Sequence, residues 1–222
     1  MSLRRPTLSL ALLTVALLPS ACSMLKPIDP NAPKKPAADN PASTRPAAIP
    51  ATARSGPAPL PAKSVRALRA GLNDPGIVAL VLALNNTDLS YARLAPSRAE
   101  RADVREFAQR MLTDHTGVNG LVTELLVKLN ATPVDNTASL DLRDESANRR
   151  DAMRDLTAFS FDSAYIENEV AYHQKFLAII DNVLIPVARN SELKKLLVSV
   201  RPAVAAHLAH AEQVRANVIS RK

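Results

Sequence analysis

Three of the four histidines in the chain stand where a helical core would normally have apolar side chains. His115, His173 and His207 each fall within the apolar stripe of a different predicted helix, and His210 lies three residues after His207, at the edge of the same stripe. A polar group buried in an apolar core without a partner costs about 1 to 3 kcal/mol. These imidazoles are therefore expected to meet each other, a carboxylate or a bound ion.

Three carboxylates accompany these histidines. Asp88 falls in the second half of the first predicted helix, Asp114 precedes His115, and Glu169 lies one turn before His173 on the same helix face. A two-metal carboxylate site of the ferritin type uses Glu-x-x-His motifs, and the sequence contains only a Glu-x-x-x-His spacing. A standard two-metal site is therefore not expected, and a mononuclear, imidazole-rich site suited to Zn, Cu, Fe or Ni is one interpretation of the set. Alternatively, each histidine donates a ring proton to a neighbouring carboxylate or carbonyl and only packs.

Start signals and apolar periodicity place these residues on long helices. Asp74 followed by Pro75 is typical of a helix start, and the first helix is predicted over Gly76 to Ala95. Ser97 with Glu100 predicts a capping box at the start of the second helix. The apolar stripe that follows has heptad-like spacing, which is typical of a helix packed along one face.

The second half of the domain repeats this pattern. The segment from Pro133 to Arg143 is predicted to be a polar connection, longer than is usual in helical bundles. A third long helix is predicted to begin near Ser160 or Asp162, and a fourth to be capped by Asn190 or Ser191. Four amphipathic helices with these spacings pack as an antiparallel four-helix bundle, so the predicted fold class is all-α.

Composition narrows the classes of protein to which the chain can belong. Aromatic residues make up 3% of it, tryptophan is absent, and 5 glycines stand against 17 prolines. These features argue against single-strand nucleic-acid binding by stacking, against glycine-rich phosphate loops and against a strand-rich fold. The only cysteine lies near the N-terminus and no serine has a nucleophile-elbow context, so no catalytic site is evident. We expect no nucleic-acid partner.

The N-terminus has the features of an export signal. Two arginines precede an apolar run from Leu8 to Leu18, which at about 11 residues is too short to span a bilayer, where about 20 are needed. The single cysteine, Cys22, has no disulfide partner and stands where cleavage is expected. Residues 1–21 resemble a bacterial lipoprotein signal peptide that precedes a lipidated Cys22, and Ser23 in such signals favours the outer membrane. The alternative is ordinary cleavage nearby, which would give a soluble periplasmic protein.

A proline-rich segment follows the cysteine. Residues 22–65 contain ten of the prolines and almost no large apolar side chain, so we expect a disordered Pro/Ala-rich linker. Six of the seven net positive charges lie in the signal and this linker, which leaves residues 66–222 close to neutral. The expected partners are a membrane, reached through the lipid, and anionic envelope surfaces that the basic linker contacts weakly.

Four ordered stretches of residues 66–222 carry a family resemblance. They are Thr87 to Ala95 (TDLSYARLA), Phe107 to His115 (FAQRMLTDH), Phe161 to Tyr165 (FDSAY) and Pro202 to Ala211 (PAVAAHLAHA). With this spacing the chain resembles a bacterial family of unknown function, described as outer-membrane or periplasmic proteins with a ferritin-like four-helix bundle. The resemblance implies that fold, picks out His115, His173 and His207, and places Asp88 where the family usually has Glu. It implies no activity.

Two functions fit these features. The first is a cell-envelope lipoprotein on the periplasmic face of the outer membrane, carrying a helical binding or structural module with no catalysis evident and no established cofactor. The alternative is a periplasmic metal-binding bundle for metal storage or oxidative-stress defence. In that case His115, His173 and His207, with Asp88 and Glu169, hold a transition metal such as Zn, Cu or Fe.

Overall fold

A computed structural model of the chain describes residues 60–220, which contain helices and no strand. The predicted all-α class is therefore confirmed. The predicted signal peptide (1–21), Cys22 and the linker up to residue 59 lie outside the described residues. The first helix begins at Ala62, four residues ahead of the predicted domain start at residue 66.

Four of the helices are long, and shorter helices connect them. In chain order the elements are α1 (Ala62–Arg69), α2 (Asp74–Ala92), α3 (Ala95–Arg98), α4 (Ala102–Leu129), α5 (Thr137–Arg154), α6 (Ala158–Ile179), a five-residue π-helical turn (Ile180–Leu184), α7 (Ile185–Val187) and α8 (Ser191–Ile219). The longest of them, α8, continues through Pro202 without a break.

The core lies between the four long helices. α2 packs on α4 and α5, α6 packs on α8, and α4 also contacts α8. Because α2 is apolar on nearly every side, almost all of its residues are buried, including the run from Ile77 to Val81. The few polar residues of α2 are therefore carried into the core with it.

Asparagine and aspartate side chains define the helix starts. Asn73 caps α2 by accepting from the backbone N–H of Gly76, with Pro75 in the first turn, one residue from the predicted start. The carboxylate of Asp74 accepts from the backbone N–H groups of Arg189 and Asn190, both at 2.9 Å. This carboxylate ties the start of α2 to the start of α8, which Asn190 caps as expected.

The predicted capping box at Ser97 and Glu100 is wrong. Ser97 lies inside α3, and α4 begins only at Ala102. The carboxylate of Asp162, at the start of α6, accepts from the backbone N–H groups of Glu100 and Arg101 at 3.2 and 3.0 Å. A fully buried carboxylate of another helix therefore fixes the two residues that precede α4, whose own N-terminus has no side-chain cap.

The predicted polar connection from Pro133 to Arg143 is also too long, because α5 already begins at Thr137. Asn136 and Ser139 form a reciprocal capping box at this start. The Asn136 side chain also donates to the backbone carbonyl of Gly76 at 3.0 Å, where an added Cβ would lie only 3.1 Å from the Asn136 amide nitrogen. The glycine thus lets this loop approach α2 closely.

No single helix among residues 60–220 combines the length and the hydropathy needed to cross a membrane. In this part of the chain, α1 and the segment Asp74–Arg98 have the required length and hydropathy only when they are taken together. Their axes differ in direction by 119°.

Replacing Asp162 by Asn tests the hydrogen bonds by which α6 fixes the backbone just before α4. The variant loses the charge and one acceptor oxygen, so we expect the free energy of unfolding to fall by about 1.5 to 3 kcal/mol in urea titrations. Asp141→Asn is the matched control, because Asp141 is exposed and makes no side-chain hydrogen bond with the described residues. Equal effects of the two substitutions would show that Asp162 does not hold the start of α4.

Candidate metal centre

All five residues proposed for a metal site lie together in the core, each on one of the four long helices. Asp88 comes from α2, His115 from α4, Glu169 and His173 from α6, and His207 from α8. Their exposed fractions do not exceed 3%. The structure therefore brings these residues into one buried cluster, while Cys22 lies outside the described residues.

The three imidazole rings face a common point. Their ring centroids are 5.2 Å apart for His115 and His207, 5.4 Å for His173 and His207, and 5.9 Å for His115 and His173. One nitrogen from each ring lies within 4.8 Å of the corresponding nitrogens of the other two. At this separation a single ion can contact all three rings.

Each ring has one nitrogen within hydrogen-bond distance of an oxygen acceptor, and we call this nitrogen the outer one. His115 Nδ1 lies 2.6 Å from Asn85 Oδ1, and His173 Nδ1 lies 2.9 Å from the backbone carbonyl of Glu169. His207 Nε2 lies 2.8 Å from Asp114 Oδ2. A carbonyl or carboxylate oxygen only accepts, so these outer nitrogens carry the ring protons.

The inner nitrogens are left as acceptors. His115 Nε2, His173 Nε2 and His207 Nδ1 are buried and have no hydrogen-bond partner among the described residues. A neutral imidazole nitrogen in this state has a lone pair available to a metal ion. The outer hydrogen bonds thus fix each ring in the tautomer that a ligand requires.

The carboxyl of Asp88 lies between two of these inner nitrogens. Its Oδ2 is 3.3 Å from His115 Nε2 and 3.3 Å from His173 Nε2, without the alignment of a hydrogen bond. Glu169 lies beyond His173, with Oε2 at 3.5 Å from His173 Nδ1. Ligand atoms of Asp88, Glu169 and His173 also lie within 4.8 Å of one another. Two overlapping groups that share His173 can therefore hold a metal.

Burial shifts every ionisable group of the cluster toward its neutral form. It raises the pKa of Asp88 to about 8, and together with the nearby Asp88 it raises the pKa of Glu169 well above its ordinary value. It lowers the pKa of His173 to about 3, and also lowers the pKa of His115 and His207. At neutral pH the metal-free cluster therefore holds protonated carboxyls beside neutral imidazoles.

Aromatic rings enclose the cluster. Phe176 stacks on His115, and Phe107 meets the edges of His173 and Tyr165. The Tyr172 hydroxyl donates to the backbone carbonyl of Leu84 at 2.6 Å, whereas the buried Tyr165 hydroxyl has no partner among the described residues. These rings keep water away from the ligand atoms, which strengthens electrostatic interactions inside the cluster.

Sequence reasoning missed Asn85. Asn85 precedes Asp88 by three residues, so both lie on one face of α2, and this spacing was the available signal. Asp114 is a carboxylate partner of a core histidine, as the sequence suggests, but the histidine is His207 rather than the neighbouring His115. His210 is half-buried against Phe107, outside the group of converging nitrogens.

The helices and the buried cluster define an all-helical protein with a histidine and carboxylate group that can hold a metal. The chain belongs to the family described as domain of unknown function DUF4142, whose model matches residues 58–214. That range includes all five residues of the cluster and the three outer partners of the histidines. Neither the curated proteins nor the solved structures contain a match to the chain.

The metal-free protein should lose stability between pH 6.5 and pH 8. Asp88 keeps its proton in the folded state up to about pH 8 but loses it near pH 4 when unfolded, so its stabilising contribution declines as pH rises across that range. The histidines act in the opposite direction only below pH 6.5, because His173 stays neutral in the folded state down to about pH 3. Between pH 6.5 and pH 8 the effect of the buried carboxyls remains. Over this range Asp88 lowers the free energy of unfolding by about 2 kcal/mol.

Urea titrations with a chelator at pH 6.5 and pH 8 measure this difference directly. In Asp88→Asn the side chain no longer titrates, so we expect the loss of stability between the two pH values to shrink by about 2 kcal/mol. An unchanged difference in the variant would mean that Asp88 is already ionised in the folded protein at pH 6.5.

Proposed function

We propose that this protein is a cell-envelope lipoprotein whose helical domain binds and stores a transition-metal ion. The ion is held by His115 Nε2, His173 Nε2, His207 Nδ1 and the Asp88 carboxylate. The observation that carries this proposal is that each ring is fixed on its outer side and has an unpartnered nitrogen on its inner side. One nitrogen of each ring, from three different helices, also lies within 4.8 Å of a nitrogen of each of the other two.

A purely structural role for the histidines explains only half of this arrangement. Packed core histidines need one hydrogen-bonded nitrogen, which all three have. The inner nitrogens of the three rings, and both carboxyl oxygens of Asp88 and of Glu169, are also buried and have no hydrogen-bond partner in the described part of the chain. Each such atom costs about 1 to 3 kcal/mol. A cation at the centre would offset the cost for several of them at once.

The donor set favours particular ions. Three imidazole nitrogens and one carboxylate oxygen suit Zn²⁺ in tetrahedral coordination, and Fe²⁺ or Cu²⁺ are the competing ions. Glu169 offers a further carboxylate beside Asp88 and His173, so an ion placed nearer to it is the second arrangement to test. We assign storage because four protein ligands in a closed core leave little room for a substrate.

The arrangement of ligands also supports a more specific fold class, the ferritin-like bundle. Residues from α2, α4, α6 and α8 reach the same point in the core, as in ferritin-like four-helix bundles, where ligands project inward from facing helices. We therefore extend the all-helical class to a ferritin-like bundle. Its ligand set differs from the two-metal carboxylate pattern in having one histidine on each of three helices.

The proposed location rests on the N-terminal sequence. An export signal over residues 1–21, a lipidated Cys22 and a linker that ends where α1 begins at Ala62 would tether the domain to the periplasmic face of the outer membrane. A soluble periplasmic protein is the alternative. Either places the metal-binding domain in the cell envelope, and its nearly neutral charge gives it no general attraction to nucleic acid.

Elemental analysis after equilibration with Zn²⁺, Fe²⁺ or Cu²⁺ tests the metal centre. We expect one bound ion per chain in the wild type and at least about 100-fold weaker binding in His115→Ala, His173→Ala, His207→Ala and Asp88→Asn, since a lost ligand should exceed the 10- to 100-fold cost of a lost outer partner. His210→Ala is the matched control and should bind normally. Glu169→Gln separates the two positions, because only an ion near Glu169 would be lost in that variant.

The same measurements can also contradict the proposed metal centre. If the four ligand variants and His210→Ala all retain the same metal content as the wild type, or if none of the proteins binds an ion, the proposed centre is wrong and the histidines are structural.

Membrane fractionation tests the anchor. Cys22→Ser removes the only thiol that could be lipidated, so we expect the exported protein to move from the membrane fraction to the soluble periplasmic fraction. Ser23→Ala is a neighbouring control that keeps the cysteine and should remain with membranes. A Cys22→Ser protein that still sediments with membranes would exclude the proposed lipid anchor.

A further inference from the structure

A surface groove between α4 and α8 leads to the buried cluster. It has a volume of about 510 Å³ and an apolar wall that includes Val118 and Val204. Its lining residues are Thr113, Asp114, His115, Gly117, Val118 and Leu121 of α4 and Val200, Ala203, Val204 and His207 of α8. His115 and His207 are among its lining residues. Because both rings are almost fully buried, they form the inner end of the groove.

The other sides of the cluster are closed. Asp88, Glu169 and His173 have no exposed surface, and Asn85, which holds His115, is 1% exposed. A separate cavity of about 70 Å³ near Tyr172 is lined by none of the five cluster residues. Of these two cavities, the groove is the one that touches proposed ligands, His115 and His207.

His207 differs from the other two histidines in its outer partner. Its Nε2 donates to Asp114, whose side chain is 33% exposed and also accepts from Arg110 at 3.3 Å. The partners of His115 and His173 are buried atoms of α2 and α6. His207 is thus the one ring whose outer hydrogen bond is at the surface, where water or an ion can replace it.

A glycine leaves space in the groove on the side of α4. Gly117 lies on α4 within the groove lining, and a Cβ added there would have no atom within 4 Å. Gly120 on the same helix also has open space at its Cβ position but is not part of the lining. A side chain at position 117 would therefore extend into the groove, while one at position 120 would not.

We infer that a metal ion enters and leaves the centre through this groove, and that His207, held by Asp114, is the last ligand to close on it. The inference rests on the proposed function. Asp114 is the only charged side chain of the groove lining, so it is the first carboxylate that an incoming divalent cation meets. Release of the Asp114 hydrogen bond lets the His207 ring turn outward, and its return completes the coordination. Asp114 is thus a positioning residue.

The route is tested by rates rather than by affinity. Uptake of Co²⁺ by the full-length chain is followed by its absorbance in a stopped-flow instrument, and release is followed after addition of excess chelator. We expect Gly117→Leu to slow uptake and release by the same factor of at least about 10, with the affinity unchanged, since an obstructed path alters only the barrier. Gly120→Leu gives the same gain in helix propensity and should leave both rates as in the wild type.

A second pair of variants repeats the test from the opposite wall. Ala203 lies on α8 in the groove lining, whereas Ala206, on the same helix, is exposed and outside it. Ala203→Leu should slow both rates, and Ala206→Leu should not. If the groove variants and their controls have the same rates, the ion uses another path and the inference is wrong, although the metal centre itself stands. If the wild type binds no Co²⁺, the proposed function fails and the route fails with it.

The positioning role of Asp114 has its own measurement. Asp114→Asn weakens the hydrogen bond to His207, so we expect release of Co²⁺ to become about 10- to 100-fold faster and the visible spectrum of bound Co²⁺ to change. Glu124→Gln, an exposed carboxylate on the same helix, is the control and should alter neither. Unchanged release and an unchanged spectrum in Asp114→Asn would show that His207 needs no partner at the surface.

Discussion

The position of Asp88 constrains the rest of the structure more than any other contact. Its carboxyl has no exposed surface and lies 3.3 Å from the inner nitrogens of both His115 and His173. An ionised carboxylate cannot remain in such a place without compensation, so the group holds a proton or meets a cation. Each of the four long helices places at least one polar residue at this point, and α6 places two, so the rotation of each helix about its axis must satisfy that requirement.

Much of this arrangement could be predicted because helix faces are encoded locally. Apolar periodicity located the long helices, and it placed His115, His173 and His207 on inward faces. The hydrogen bonds that fix the backbone just before α4 could not be predicted, because Asp162 accepts them from 61 and 62 residues further along the chain. The start of α5 carried a local signal, but Asn136 with Ser139 departs from the usual pairing with Glu or Gln.

The centre shows a second limit of periodicity. A stripe gives the face of a helix on which a residue lies, but not its height along the bundle or the ring nitrogen that points inward. Those properties depend on Asn85, on the carbonyl of Glu169 and on Asp114, which come from three different helices. Whether three histidines form a ligand set or a packed core therefore becomes visible only when the partners of both nitrogens of each ring are known.

The aromatic enclosure has a consequence for spectroscopy. The chain contains 3 tyrosines and no tryptophan, and Tyr91, Tyr165 and Tyr172 are all buried around the cluster. Tyr91 and Tyr172 meet edge to face with their centroids 5.7 Å apart. Tyrosine is the main ultraviolet fluorophore of a protein without tryptophan, so most of the intrinsic emission originates in the core that holds the candidate centre. Tyr172, whose ring centroid lies 5.9 Å from that of His173, gives the sequence an optical reporter of the occupancy of this site.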